Sequence, residues 1–407
     1  MNCIIAQSGG PTSVINSSLS GVITCAIDQG FERIFGSLNG IEGILNDNIV
    51  EIDKDKFISS NAQIRLMNRP SSILGSCRYK LPDSIEDKIY DKIFRKLKEL
   101  EITSFIYIGG NDSMDTVMKL NRYMKAHDIT GINVCGVPKT IDNDLCVMDH
   151  SPGFGSASKF VNNTIINIRN DIDIYDLNSV TIVEIMGRNA GWICASSLLA
   201  NKNSKVVDLI YLSEIEKSKE DILKEVKEAF KYNKNLLIAV SEGFQDKDKF
   251  FINNNDQVYD KGFNHPIIAG VAQNMSDYIH RKLNVKTRAI ELSIIQRTSN
   301  IISKTDSNEA FNLGYQALRL SIDNTDIIPI LKRKDSTKYE VEYSYVNSSD
   351  VANKEKLIPK SWLQDMNTLQ ENMIEYALPI IQGEFDDIYE NGMLSFINLC
   401  DFIKVNN

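Results

Sequence analysis

No apolar run in the 407 residues approaches the ~20 that a helical bilayer span requires, so no such span is expected. The seven cysteines, Cys3, Cys25, Cys77, Cys135, Cys146, Cys194 and Cys400, are scattered, odd in number and never spaced as CxxC. That pattern argues against a disulfide framework and against a zinc site, and leaves packing as their expected role. The opening Met1-Asn2-Cys3-Ile4-Ile5-Ala6 lacks a basic stretch before its short apolar run, so no secretory signal is expected and a cytoplasmic location is. An excess of positive charge is missing too. A net charge of −9 and a pI near 5.2 disfavour sequence-independent nucleic-acid binding. Anionic substrates must then be drawn by local basic residues and not by the global field. Neither a repeat of short fixed period nor a low-complexity tract is present.

What is present is ample core material, with 43% hydrophobic residues in a chain longer than one core usually sustains. Two lobes and an extension are therefore expected. Strand-like runs alternate with amphipathic segments, the pattern of parallel sheets covered by helices. Residues 2–6 lead into Gln7-Ser8-Gly9-Gly10-Pro11-Thr12, and 14–27 reads as a helix. Residues 84–100 place Ile85, Ile89, Ile93, Phe94, Leu97 and Leu100 on one helical stripe, with Ser84 and Asp87 resembling a capping box. Further strands are expected at 104–108, 132–137, 180–185 and 236–240, with a helix over 220–230. The Asn/Asp/Lys-rich stretch between Asp246 and His265 reads as a loop or hairpin, and the charged, tyrosine-containing stretch beyond about Thr325 as an appendage.

Chemistry concentrates where these strands end. Gly109-Gly110-Asn111-Asp112-Ser113 combines glycines that allow close backbone approach to a phosphate with groups suited to a hydrated Mg²⁺. Pro138-Lys139-Thr140-Ile141-Asp142-Asn143-Asp144 adds a cation and two carboxylates. Met186-Gly187-Arg188 and Ser241-Glu242-Gly243 follow later strands. Each alone has an ordinary reading: a tight turn at Gly9-Gly10, a helix cap at Asn111 to Ser113 or at Glu242, an Asx turn at Asp142 to Asp144, surface ion pairs for Arg188 and Arg297. Their succession at strand ends, where α/β sheets bind ligands, instead indicates phosphoryl transfer with an aspartate base.

In order and spacing, Gly9-Gly10, the 109–113 and 138–144 segments, Met186-Gly187-Arg188, Ser241-Glu242-Gly243 and Ile295-Gln296-Arg297 resemble the phosphofructokinase family, and its pyrophosphate-dependent branch in particular, over residues 2–325. The resemblance implies two Rossmann-like lobes. A donor lobe would span 1–145, completed by about 297–325, a sugar-phosphate lobe 146–296, and a C-terminal extension 326–407. It implies transfer of phosphate to O1 of fructose 6-phosphate, with Asp142 as base and Lys139 and Arg188 as its catalytic companions. Gly10, Arg78 and Asp112 would bind the donor. Thr140, Met186, Gly187, Glu242, Arg288 and Arg297 would bind the sugar phosphate. Asn111, where the family usually has aspartate, would help hold Mg²⁺, with Asp144 near the same charge cluster. A homodimer or homotetramer is likewise implied, with Arg288 a candidate for a residue lent to a neighbouring subunit.

Two positions bear on the donor. ATP-using relatives have glycine where this chain has Asp112 and typically where it has Lys139. A carboxylate at 112 would occupy and repel the α-phosphate of a nucleotide, and an ammonium at 139 can neutralise charge on a pyrophosphate donor. Pyrophosphate is the expected donor, in a reversible reaction. The alternatives are an ATP-dependent enzyme, an acceptor such as sedoheptulose 7-phosphate, or a catalytically silent binding protein. Ile294 stands where many members have histidine or tyrosine, which removes one expected polar contact to the 6-phosphate. No arginine stands at Ser179, the position from which some relatives contribute one across a subunit boundary.

Overall fold

The computed structural model describes residues 1–247, 270–386 and 389–404. Two sheets organise it. The first has five strands, β1 (Asn2–Gln7), β2 (Arg33–Ser37), β3 (Ile49–Glu51), β4 (Ile102–Gly109) and β5 (Asn133–Pro138), in the order β3-β2-β1-β4-β5. All its pairings are parallel except β2 with β3. The second contains β6 (Ser179–Ile185), β7 (Leu209–Tyr211), β8 (Asn235–Ser241) and β9 (Lys286–Glu291), all parallel, in the order β7-β8-β6-β9.

Alternation along the strands explains why they read as continuous apolar runs. Ile4 and Ala6 of β1, with Phe105 and Tyr107 of β4, enter one core, while Cys3 and Ile5, with Ile106 and Ile108, enter another on the opposite face. In β6, Val183 and Ile185 face one core and Val180 and Ile182 another. Sheets buried on both faces need apolar residues at every position. The covering helices include α1 (Ile15–Asp28), α2 (Lys88–Glu99), α3 (Asn111–Ala126), α4 (Phe154–Ile172), α5 (Lys219–Ala229), α6 (Val271–Leu283) and α7 (Lys304–Ser321). Helix α2 starts later than its apolar stripe suggests. Asp87 alone caps it, accepting from Ile89 N–H at 2.9 Å, and Ser84 lies outside the helix. A capping box does form at α5, between Ser218 and Asp221.

The stretch beyond Thr325 is not peripheral. It forms the antiparallel pair β10 (Ile327–Arg333) and β11 (Val341–Asn347), then helix α8 (Met366–Ala377). Ile328 and Ile330 are buried in one core of the first sheet, Ile327, Leu331 and Phe402 in the other, and Met373 and Ile380 in a core of the second. Most of the expected loop between 246 and 265 lies outside the described residues.

Candidate active site

Strand order dictates where a ligand can sit. In the first sheet the chain leaves β1 toward β2 on one side and returns as β4 on the other, so the carboxyl ends of β1 and β4 flank a crevice. The turns after β1, β4 and β5 open into a cleft of about 920 Å³, which the turns after β6 and β8 close from the other side. Gly10, Arg78, Asn111, Asp112, Lys139, Thr140, Asp142, Met186, Arg188, Glu242 and Arg297 all line it. Gly187 sits behind it, and its carbonyl accepts from Ser213 Oγ at 2.9 Å. With φ at 133° and Ala190 O only 2.5 Å from where a Cβ would stand, position 187 admits glycine alone.

Backbone shapes the wall formed by the turns after β1 and β4. Helix α3 begins at Gly110 without a side-chain cap, so its N-terminus points an uncapped helix dipole at the cleft, and Asp112 sits in the first turn. Lys139, only 2% exposed, donates from Nζ to Ser8 O at 2.9 Å and Gly10 O at 2.6 Å. Those bonds leave the third N–H of the ammonium for a ligand. Burial, with Arg297 close by, lowers Lys139 to about 7, so a bound anion would draw it fully into the charged form. Arg297 lies over the turn after β1: a Cβ on Gly10 would come within 2.9 Å of its Nη1. Its Nε is buried with no partner among the described residues, an orphaned donor at the cleft wall.

Carboxylates collect at the centre. Burial raises Asp142, against the pull of Arg297, Lys139 and Arg188. Burial raises Asp144 to about 7, helped by the charges of Asp142 and Glu355. Glu242 is pushed up to about 7 by burial and by Asp142. Carboxylates whose pKa is raised by burial are what general-base chemistry near neutral pH needs. Among the described residues no three His, Cys, Asp or Glu side chains form a ready metal cage. A hard divalent cation shared between one or two carboxylates and substrate phosphates needs none, and the carboxylates of Asp142 and Asp144, both lining the cleft, are the ligand type such an ion takes.

Two expected site residues stand differently from the rest. Asn111 borders the cleft, but both its amide atoms are engaged: Oδ1 accepts from Asn353 N–H at 2.6 Å and Nδ2 donates to Lys354 O at 2.7 Å. The oxygen a cation would use already holds a hydrogen bond. Arg288 lies outside the cleft of its own chain, on β9, 45% exposed and paired with Asp171 at 3.2 Å. Conversely, Asn189, Asn353 and Glu355 line the cleft unanticipated. Asn189 adjoins the Met186-Gly187-Arg188 motif and was within reach of sequence reasoning. The other two, more than 200 residues from the turns after β4 and β5, carry no local signal.

Residues 2–321 match the phosphofructokinase family. The pyrophosphate--fructose 6-phosphate 1-phosphotransferase of Halomonas elongata is 32% identical over 403 residues, covering 96% of this chain and 94% of that protein. A sulfofructose kinase of Alkalicoccus urumqiensis is 30% identical over 375 residues, covering 91% of this chain and 94% of that protein. The solved structure of a pyrophosphate-dependent phosphofructokinase from Nitrosospira multiformis is similar at a TM-score of 0.86 and 29% identity, covering 100% of this chain and 98% of that chain.

Proposed function

We infer that this chain, which belongs to the phosphofructokinase family, transfers a phosphoryl group from inorganic pyrophosphate to the 1-hydroxyl of fructose 6-phosphate. The products are fructose 1,6-bisphosphate and phosphate, and the reaction is reversible. One observation carries the donor assignment: the Asp112 carboxylate and the Lys139 ammonium border the same cleft as Asp142. A carboxylate in the first turn of α3 repels the extra phosphate of a nucleotide, while the ammonium answers the charge of a bare diphosphate.

In this reading Asp142 takes the proton of the attacking hydroxyl, help typically worth ~10²–10⁴-fold. Arg188 and Arg297 flank the transferring group, where planar guanidinium donors match phosphoryl oxygens. Lys139 and Arg78 hold the donor, the uncapped α3 N-terminus supplies backbone dipole, and Glu242 accepts from sugar hydroxyls. Thr140 orders the turn, its Oγ1 accepting from Asp142 N–H at 3.2 Å. Asp144, rather than Asn111, is the residue we assign to Mg²⁺, which when bound with the diphosphate oxygens would neutralise charge on the departing phosphate. Arg288 is assigned to a neighbouring subunit's 6-phosphate site within a homo-oligomer.

The test is an enzyme-linked assay offering fructose 6-phosphate with pyrophosphate or with ATP. Turnover with pyrophosphate and none with ATP is expected, and the reverse would overturn the donor assignment. Ile294, 59% exposed where a polar contact to the 6-phosphate was expected, favours a second acceptor as a variant of the same reading. Competition between fructose 6-phosphate and sedoheptulose 7-phosphate decides between the two sugars.

A further inference from the structure

Within six residues the segment 353–358 bridges the cleft. At the donor side Asn353 and Lys354 hold Asn111, and Asn353 Nδ2 donates to Asp115 Oδ1 at 2.9 Å. At the sugar side Asn189 Nδ2 donates to Glu355 Oε1 at 2.6 Å, and Trp192 Nε1 to Lys356 O at 2.9 Å. Between them the segment meets the turn that carries Asp142 and Asp144. Lys356 N–H donates to Asp144 O at 2.7 Å. Its Nζ donates to Asp149 O at 2.7 Å, Asn143 Oδ1 at 3.2 Å and Met148 O at 3.4 Å. Tyr376 of α8 adds a second hold: its hydroxyl donates to Asp149 O at 2.5 Å and accepts from Asn143 Nδ2 at 2.9 Å.

This turn needs holding. Asn143 and Val147 both have left-handed φ, 55° and 62°, and a β-branched valine there is strained. Val147 is also 49% exposed, so burial does not anchor it. Within the turn Ser151 N–H donates to Asn143 Oδ1 at 3.0 Å, and from outside the Lys356 ammonium gathers oxygens of Asn143, Met148 and Asp149 beside the Tyr376 hydroxyl.

We propose that Lys356 is a positioning residue for phosphoryl transfer, fixing the turn that presents Asp142 and Asp144, so that the C-terminal extension belongs to the catalytic apparatus. This rests on the reading of Asp142 as the base. Displacing a reacting group by about 1 Å can cost ~10²-fold in rate without any change in its chemistry.

The test compares full-length wild type with Lys356→Met, Lys356→Arg and Tyr376→Phe, by steady-state kinetics and by amide hydrogen exchange. For Lys356→Met we expect kcat to fall ~10²-fold while both KM values stay within about threefold, the mark of an interaction that acts on the transition state. Exchange should quicken in peptides spanning 142–151 and not elsewhere, and Lys356→Arg should restore much of kcat. An unchanged kcat overturns the proposal. So does a kcat loss accompanied by faster exchange throughout the chain, since that is general destabilisation. If Lys356→Met does not fold, Tyr376→Phe decides: a smaller kcat loss with local quickening supports the proposal, and wild-type kinetics sinks it. Failure of wild type to use pyrophosphate would instead sink the proposed function, and the exchange comparison would still test the hold on the turn.

Discussion

Asp142 sits in the field of three cations, Lys139, Arg188 and Arg297, yet burial still raises its pKa. That balance suits a base that must be ionised before the reaction and protonated after it. Asp142→Asn keeps the shape and removes the proton acceptor, so turnover should fall by ~10²–10⁴-fold with the far-ultraviolet dichroism unchanged. Near-normal turnover would remove Asp142 from the base role. Donor choice is likewise a matter of two side chains. Asp112→Gly with Lys139→Gly should raise the KM for pyrophosphate at least about tenfold, the effect of losing one charge-assisted contact, and open the cleft to ATP. Unaltered pyrophosphate kinetics in that variant would show that these residues do not select the donor. The side chains at strand ends were legible because α/β sheets put ligands there. Lys356 and Glu355 were not, because what brings them to the cleft is tertiary packing over about 210 residues.

Among elements, α1 and α7 pack so closely that backbone meets backbone. A Cβ on Gly21 would overlap the Phe311 carbonyl oxygen, and one on Gly314 the Ser18 carbonyl oxygen. Helix propensity alone makes Gly→Ala favourable by ~1 kcal/mol, whereas overpacking costs about 1–3 kcal/mol. Because the clash is with backbone, which cannot rotate aside, the second effect should win. Gly21→Ala should lower stability by about 2 kcal/mol, read as a drop in urea midpoint. A higher midpoint would mean that the two helices can slide apart. The sequence announced α1 by its position after a glycine turn, and the strands by their apolar runs. It misdirected at α2, where Ser84 and Asp87 both had capping chemistry and only the geometry of the preceding turn could choose between them. It was most opaque beyond Thr325, where the short apolar run 327–331, read as part of an appendage because a charged stretch follows it, is the strand β10 that enters both cores of the first sheet.

At the scale of the molecule, His150 joins three regions. Its Nδ1 meets Asp149 and its Nε2 meets Glu309 of α7, both at 2.8 Å, while Arg333 of β10 pairs with Asp149 at 3.0 Å and the Tyr339 hydroxyl donates to Glu309 at 2.7 Å. Burial alone would lower this imidazole, but Glu309 and Asp149 outweigh it and raise it from 6.5 to about 9. A group whose folded value lies above its unfolded one stabilises fully below the unfolded value and ceases to as pH rises through the folded one. The stabilisation should therefore be complete below about pH 6.5 and fade toward pH 9, amounting to no more than about 3 kcal/mol. The urea midpoint of wild type should decline over that interval, and His150→Gln should flatten the decline. An equal decline in both proteins would assign the effect to other groups.

The bridge from Asn353 to Lys356 also sets a timetable. Ribosomes deliver the turns after β1, β4 and β5, with Asp142, Arg188 and Arg297, long before Lys356, and Tyr376 arrives later still. On the proposed reading a nascent chain would thus carry its reacting groups while its aspartates remain unaligned, and would begin to turn over only once Tyr376 had left the ribosome.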